Sequence, residues 1–288
     1  VWTDEYMTIY PDGVGVRFVD MHDGQDFYHK DEGGSIGFHD TQFLSEAGTK
    51  PEDNINPQSL TIVSSEDKIT ELDWSESHPD GTFDAQAIWI NLKSDYKVFE
   101  IFPPKSDIYV WASGEKTSYS KYSAWNHYPV TLAPCDGRFS VASDRLTHSA
   151  LGAANNLIGN MLIYGFTMEG AKSLIPLARS WNVAPNIVKL KGGESSGYDK
   201  GQRAYQISAK YDKFSFILDA SKNSPIVNPS FVLAGWDSKA KVKVDGAYVD
   251  ADKKMRQGLV RNTNGELQLV VWMELTSEQP VEISFEKK

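Results

Sequence analysis

The chain has 288 residues, of which 40% are hydrophobic and 12% aromatic, so it can bury a substantial core and is not globally disordered. Its net charge of −10, with no basic stripe in the sequence, argues against a nucleic-acid-binding protein. No apolar run reaches the roughly 18 residues of a membrane span, and a single cysteine, Cys135, excludes a disulfide framework. We interpret Cys135 as an unreactive thiol, and a catalytic thiolate, with His127 and His148 near in the sequence, is the less favoured alternative.

Strand-like segments dominate the first half of the chain. EYMTIYPDGVGVRFVDMHD alternates in polarity and is interrupted by a turn signal at Pro11-Asp12-Gly13. The segments QSLTIVSS, AQAIWINLK, YKVFEIFPP, IYVWAS and NMLIYGFTM are also bounded by turn residues and predict short strands. AKSLIPLARSWNVAP fits one or two helical turns, because Pro176 limits a longer helix.

The C-terminal half predicts antiparallel strands joined by short turns. RAYQISAKYD, KFSFILDAS, FVLAGW, KVKVDGAYV, GLVRNTNGELQLVVWMEL and PVEISFEKK follow one another, with hairpin signals at Asp245-Gly246 and Asn264-Gly265. No βαβ rhythm is present, which argues against a Rossmann or barrel enzyme. We therefore predict an all-β protein with few short helices: one large antiparallel β-sandwich domain over residues 1–288, crossed by a loop at about 125–149.

The predicted crossover loop, WNHYPVTLAPCDGRFSVASDRLTHS, has the most polar chemistry in the chain. His127, between Asn126 and Tyr128, can act as a general base or acid near neutral pH. The alternative is a partly buried histidine bonded to a backbone carbonyl, but the density of polar neighbours favours function for His127. For His148 the two interpretations remain equal.

Two arginines in the same loop offer planar forks that match a carboxylate or a sulfate. Arg138 follows a glycine, and Arg145 follows Asp144. The alternative is that each pairs with an aspartate, Asp136 or Asp144, and only braces the loop. We expect one arginine to brace the loop and the other to face a ligand.

A second cluster, GGESSGYDKGQRAY, contains Tyr198 followed by Lys200 and Arg203. Cationic neighbours can make a phenol proton labile, which would suit proton transfer. A packed tyrosine with its hydroxyl on a backbone group is the equal alternative. Trp111 and Trp125, which flank the loop, are predicted platforms for sugar rings.

Signatures of other sites are missing from the sequence. It contains no phosphate-binding glycine loop, no H-E-x-x-H zinc motif, no EF-hand loop and no G-x-S-x-G nucleophile elbow. We therefore predict no cofactor and no metal.

Several segments together resemble a known group of proteins: IYPDGVGVR, GTKPEDNI, WNHYPV, CDGR, SDRLTHS, LARSW, GYDKGQRAY and RQGLVRNTNGELQLVVW. They resemble large β-sandwich polysaccharide lyases of the ulvan-lyase kind and their relatives in gut and marine Bacteroidetes, and the resemblance spans nearly the whole chain. It implies a β-supersandwich that binds an acidic polysaccharide and cleaves it by β-elimination next to a uronic acid.

The resemblance, together with the chemistry of β-elimination, implies roles for ten residues. The catalytic set is His127, Tyr198, Asn126 and Arg138, and the substrate-binding set is Arg145, His148, Tyr128, Arg203, Trp111 and Trp125. Because the chain begins at Val1 with no initiator methionine, we expect a processed product of a secreted or periplasmic protein.

Two alternatives to a lyase remain open. The first is a non-catalytic carbohydrate-binding or accessory domain of a larger polysaccharide-degrading enzyme. The second, a glycoside hydrolase on the same scaffold, is less favoured because the carboxylates form no clear pair.

Overall fold

The structure is a computed structural model that describes residues 2–22, 38–45, 49, 51–73, 81–110, 124–128, 147–156, 161–251 and 253–288. Most of these residues lie in strands, and the predicted all-β, sandwich-like fold is confirmed. The chain divides into two compact units, the first formed by Val1–Tyr6 and Arg17–Ile175 and the second by Met7–Val16 and Pro176–Lys288. One domain can contain two compact units, so the single-domain interpretation stays a prediction.

Twelve strands are described before residue 170, together with one short helix, α1 (Pro51–Asn54). The strands are β1 (Trp2–Ile9), β2 (Val14–His22), β3 (Phe38–Ser45), β4 (Ile55–Val63), β5 (Ile69–Asp73), β6 (Gly81–Asp84), β7 (Ala87–Leu92), β8 (Lys97–Ile101), β9 (Asp107–Val110), β10 (Ala124–Tyr128), β11 (Thr147–Asn156) and β12 (Met161–Thr167). They form a seven-stranded sheet in the order β1-β2-β12-β8-β7-β4-β5 and a second sheet in the order β10-β11-β9-β6, in which β3 also pairs with β11.

The first unit is built around one buried apolar cluster. Ile62 of β4 and Ile90 of β7 come from the seven-stranded sheet, and Ile108 of β9 comes from the other sheet. All three side chains are at most 2% exposed. Burial of side chains from both sheets in one core is what defines a sandwich.

The C-terminal part contains a 3₁₀ turn (Ala171–Ser173), helix α2 (Leu174–Asn182) and twelve strands. The strands are β13 (Asn186–Lys191), β14 (Gly193–Asp199), β15 (Ala204–Ala209), β16 (Lys213–Asp219), β17 (Ile226–Val227), β18 (Ser230–Ala234), β19 (Ala240–Val244), β20 (Ala247–Tyr248), β21 (Met255–Arg261), β22 (Leu267–Met273), β23 (Thr276–Ser277) and β24 (Val281–Lys287). Two five-stranded sheets result, β13-β16-β24-β19-β20 and β14-β15-β18-β22-β21, with β17 and β23 paired separately.

Alternation along β16 shows why this unit folds as a sandwich. Phe214, Phe216 and Leu218 are buried in the core, whereas the residues between them are partly exposed. Successive side chains of a strand point to opposite faces, so KFSFILD places its aromatic residues on one side. Phe285 of β24 stacks on Phe214, with ring centres 4.9 Å apart.

Among the described strands of the second unit, one pair departs from the predicted antiparallel arrangement. Strands β15 and β18 are parallel, with Tyr205 opposite Phe231. Between them the chain passes through β16, which belongs to the other sheet of the sandwich. Because the chain crosses to the opposite sheet before it returns, β18 can run in the same direction as β15.

The predicted turns at Asp245-Gly246 and Asn264-Gly265 are both present, but they differ in length. Asp245 and Gly246 both have positive φ, 48° and 82°, in the two-residue turn between β19 and β20. This backbone is the mirror-image turn that favours Asp-Gly. Asn264-Gly265 instead lies in a longer turn between β21 and β22, closed by a 2.9 Å bond from the Gly265 N–H to the Asn262 carbonyl.

Helix α2 agrees with the predicted short helix. Pro176 is its third residue, where a backbone N–H would have no partner within the helix. Trp181 near its end is buried, and the indole N–H donates to the Lys200 carbonyl at 3.0 Å. None of the helices in the described ranges combines the length and apolar character needed to cross a membrane.

Candidate active site

The two ends of the predicted crossover loop are strands rather than irregular chain. In the structure β10 and β11 pair antiparallel, with Trp125 opposite Ala150, Asn126 opposite Ser149 and Tyr128 opposite His148. The aromatic residues of AWNHY favour a strand, which corrects the prediction that residues 125–128 belong to a loop. Directly opposite residues in such a ladder have Cα atoms about 4.5–5.5 Å apart.

A β-bulge occurs at His127. The pairing moves two residues along β10, from Asn126 to Tyr128, while it moves only one residue along β11, from Ser149 to His148. His127 is therefore the extra residue of the bulged strand. Bulges are over-represented next to active sites, because they redirect a strand at one position.

The β10–β11 ladder thus brings together the backbone positions of five predicted site residues. Asn126, His127 and Tyr128 are consecutive on β10, His148 is the partner of Tyr128, and Trp125, opposite Ala150, is two pairs away from the Tyr128–His148 pair. On its other side β11 pairs with β3, where His148 is opposite Leu44. His148 therefore lies on an interior strand of the sheet, between β10 and β3.

Three predicted site residues lie outside the described residues. They are Arg138, Arg145 and Trp111, and Cys135 is outside as well. Their roles stay predictions. Within the residues that are described, no group of three or more His, Cys, Asp or Glu side chains is placed to hold a metal ion.

Arg203 belongs to the second unit, and its guanidinium forms hydrogen bonds with residues of the same unit. Its side chain is 3% exposed, and its guanidinium pairs with both carboxylate oxygens of Asp12, one of them at 3.4 Å. The same guanidinium donates to the Asn228 carbonyl at 3.2 Å, and the Asn228 amide donates to Asp12 at 3.2 Å. Arg203 therefore braces this unit, and the predicted contact with substrate gains no support from its geometry.

Tyr198 is also in the second unit, where its surroundings oppose the labile proton we expected. Its ring packs edge-to-face on Tyr205, with centres 5.0 Å apart. Burial raises the pKa of Tyr198 well above its ordinary value, and this effect outweighs the lowering by Arg203. The proton is therefore held more tightly than in a free tyrosine, although the catalytic role itself stays a prediction.

The depression beside Tyr198 and Arg203 is small. Its lining includes Ser180, Pro185 and Asn228, and it has room for about one water molecule. A sugar ring does not fit in this space, so the depression is not a polysaccharide-binding cleft.

The sequence did not identify Asp12 as a partner of this cluster. Pro11-Asp12-Gly13 predicted the turn, and a 3.1 Å bond from the Gly13 N–H to the Tyr10 carbonyl closes it. The Tyr10 hydroxyl then donates to the Gln202 carbonyl at 2.8 Å, next to Arg203. A turn signal carries no information about a partner nearly two hundred positions away.

Comparisons of the chain with protein families, with characterised proteins and with solved structures found no match. No activity is therefore carried over from a relative.

Proposed function

We propose that the protein is a polysaccharide lyase that cleaves a uronic-acid-containing polysaccharide by β-elimination, with the β10–β11 ladder as its active site. The observation that supports this most is the bulge at His127 beside the Tyr128–His148 pair. It puts three groups able to transfer protons at neighbouring backbone positions. Because such polymers are extracellular, the proposal includes a secreted or periplasmic protein.

The reaction requires two proton transfers at one sugar linkage. A base removes the proton on C5 of the uronate, and the released electron pair forms a double bond between C4 and C5. The bond from C4 to the glycosidic oxygen breaks, and an acid protonates the departing oxygen. Negative charge accumulates on the uronate carboxylate during this step, so hydrogen-bond donors placed there lower the barrier.

The residues of the ladder match these requirements in kind. A histidine changes its protonation near neutral pH and can serve as base or acid, and a tyrosine is protonated at that pH and can serve as acid. His127, Tyr128 and His148 therefore supply the two proton-transfer groups. Asn126 supplies an amide donor for the carboxylate, and Arg138 and Arg145 are the proposed cationic donors.

A continuous ultraviolet assay tests the proposal, because the unsaturated uronate product absorbs where the substrate does not. The full chain is incubated with ulvan, glycosaminoglycans, alginate, pectin fragments and gum arabic in turn. We expect absorbance to rise with one polymer and His127→Ala to abolish the rise, since a proton-transfer group contributes about 10²–10⁴-fold to the rate.

The control is His22→Ala, which removes a histidine of β2, outside the β10–β11 ladder. It is expected to retain activity. Absorbance that stays flat with every polymer would overturn the lyase proposal, and full activity of His127→Ala would overturn the site. Reducing ends that appear without absorbance would instead indicate a hydrolase.

Non-catalytic carbohydrate binding is the second candidate function. It is favoured by the architecture of the second unit, whose two five-stranded sheets enclose their own aromatic core. This candidate predicts binding in calorimetry without any unsaturated product, and binding that His127→Ala leaves unchanged.

A further inference from the structure

The solvent side of one sheet in the second unit carries a continuous polar row. Backbone register places Lys191 of β13 opposite Ser215, Ser215 opposite Ser284, Ser284 opposite Lys243, and Lys243 opposite Tyr248. The row therefore crosses all five strands, from β13 to β20. With about 4.8 Å between neighbouring strands, it is about 19 Å long.

A second row runs beside the first. Lys213 of β16 is opposite Glu286 of β24, which is opposite Lys241 of β19. Lys213 and Lys241 are exposed, and the Lys213 ammonium is 4.0 Å from the Glu286 carboxylate. Residues between the two rows, such as Phe214 and Phe285, point into the core, so both rows lie on the solvent side.

These residues form a surface that we call the lysine face. Its members are Lys191, Lys213, Lys241, Lys243, Glu286, Ser215, Ser284 and Tyr248. Glu282 lies on the same side of β24, two residues before Ser284, so the face carries four lysines beside two carboxylates. Tyr248 is 63% exposed, and the Lys243 ammonium lies 4.5 Å from the centre of its ring. The face thus combines cations, hydroxyl groups and an exposed aromatic ring, which together suit a sugar polymer that carries negative charge.

Charge is distributed unevenly between the two units. The second unit contains 17 of the 29 Lys and Arg residues and 14 of the 39 Asp and Glu residues, which gives it a net charge of +3. The first unit, with 12 basic and 25 acidic residues, carries −13. By net charge alone, the second unit is therefore the more favourable one for an anionic polymer, whereas binding at the first unit depends on local donors at its site.

We propose that the lysine face binds an anionic polysaccharide, whose chain lies along the row from Lys191 to Tyr248. The identity of the polymer rests on the proposed function, whereas the preference for a polyanion rests on the face itself. The face contains only one aromatic ring, whereas single-stranded nucleic acids stack successive bases on several rings, and it carries the Ser215 and Ser284 hydroxyls, which can hydrogen-bond to sugar hydroxyls. These features favour a polysaccharide over a nucleic acid.

Affinity electrophoresis and calorimetry on the full chain test this proposal. Ulvan, chondroitin sulfate, alginate and polygalacturonate are the probes, and dextran is the neutral control. Each variant is made twice, once with the natural histidine at position 127 and once with His127→Ala. Binding is compared within the His127→Ala series, in which cleavage of the polymer is not expected to affect the result.

The principal variant replaces Lys191, Lys213, Lys241 and Lys243 by Gln. We expect at least about tenfold weaker binding, since each exposed charge contributes up to a few-fold. The matched control replaces four other lysines of the same unit, Lys210, Lys222, Lys253 and Lys254, by Gln and should bind as the parent does. Both variants change the net charge equally, so a difference between them comes from position.

Two further variants separate binding from folding and from charge alone. Glu286→Gln removes the carboxylate between Lys213 and Lys241 and is expected to tighten binding about twofold. A gain of this kind cannot come from misfolding. Tyr248→Ala is expected to weaken binding without changing its dependence on salt, because it removes a ring contact and no charge.

The inference is overturned if the lysine-face variant binds like its parent, or if the matched control loses as much. It is also overturned if single-stranded DNA or polyglutamate binds as tightly as every polysaccharide and Tyr248→Ala changes nothing. Binding without any unsaturated product would refute the lyase proposal and leave the lysine face standing. Cleavage together with unchanged binding of the lysine-face variant would refute only the lysine face.

Discussion

Asp12 and Arg203 are 191 positions apart in the chain, yet they form an ion pair from which water is largely excluded. Their side chains are 10% and 3% exposed. Asn228 completes the cluster, because it bonds to both members of the pair and also to the backbone of Leu275, at 2.8 and 3.3 Å. The cluster therefore ties the turn at Asp12 to the residue that precedes β15 and to the β17–β18 connection.

Asp12→Ala should destabilise the protein strongly. It leaves the buried guanidinium of Arg203 without a counter-charge, and loss of one partner of a buried pair costs about 3–5 kcal/mol. Denaturant unfolding measures the change. Glu194→Gln, which removes the exposed partner of Lys210, is the control and should leave the free energy of unfolding nearly unchanged. Equal effects of the two substitutions would show that burial of the Asp12 pair has no energetic consequence.

Stability should fall at alkaline pH because of buried tyrosines. Burial raises the pKa of Tyr10, Tyr198 and Tyr205 above the ordinary value near 10. Since the folded-state pKa lies above the unfolded one, the full contribution is present below about pH 10 and is lost as pH rises through the folded pKa. Between its unfolded and folded pKa values, each such tyrosine lowers the free energy of unfolding by up to about 1.4 kcal/mol per pH unit.

Denaturant unfolding at a series of pH values tests this expectation. Tyr205→Phe should make the alkaline decline shallower, because one fewer proton is released when the chain unfolds. Tyr211→Phe, at a ring that is 71% exposed, is the control and should retain the parent slope. An unchanged slope in Tyr205→Phe would contradict the assignment.

Two glycines with similar positive φ angles should respond differently to replacement by alanine. Gly192 and Gly197 have φ of 82° and 98°, a region that costs an L-residue about 1–2 kcal/mol. A Cβ atom at Gly192 would lie 2.6 Å from the Lys213 carbonyl oxygen, whereas nothing lies within 4 Å of one at Gly197.

Gly192→Ala should therefore cost about 1–3 kcal/mol more than Gly197→Ala, since the backbone of β16 must move. Thermal and denaturant unfolding of both variants give the comparison. If the two variants were equally stable, the close approach of Gly192 to β16 would not be a feature of the folded protein.

The role of Tyr198 can be separated from that of Tyr128 once a substrate is known. We expect Tyr198→Phe to keep most of the activity, because its proton is held tightly and its ring packs on Tyr205. Tyr128→Phe should lower kcat by about 10²-fold or more if Tyr128 transfers a proton. Melting temperatures of both variants provide the control for folding. A large loss in Tyr198→Phe with an unchanged melting temperature would instead support the predicted catalytic role of Tyr198.

Local features of the fold could be predicted well from the sequence. Pro11-Asp12-Gly13 and Asp245-Gly246 lie in turns, and KFSFILD forms a strand with its aromatic residues in the core. These features depend on residues within a few positions of one another, through backbone sterics and the period of two. The parallel pairing of β15 with β18 could not be predicted, because it depends on the sheet to which the intervening β16 belongs.

The candidate site was predictable in its members but not in their arrangement. His127, Tyr128 and His148 were predicted as site residues because they occur within 22 positions of one another in one polar segment. The strands at the two ends of that segment, β10 and β11, depend on their pairing with each other and on the pairing of β11 with β3. The bulge at His127 depends on the register between β10 and β11. Arg203 was assigned to substrate because its buried partner, Asp12, lies far away in the sequence.

By itself the sequence determined the all-β class, the turns and the side of each strand that carries apolar residues, because short-range periodicity and backbone sterics decide these. Only the tertiary structure decided which side chains became neighbours across strands. The row from Lys191 to Tyr248 and the pair of Asp12 with Arg203 both require long-range register. That register is chosen by burial of the whole core, which no local segment encodes.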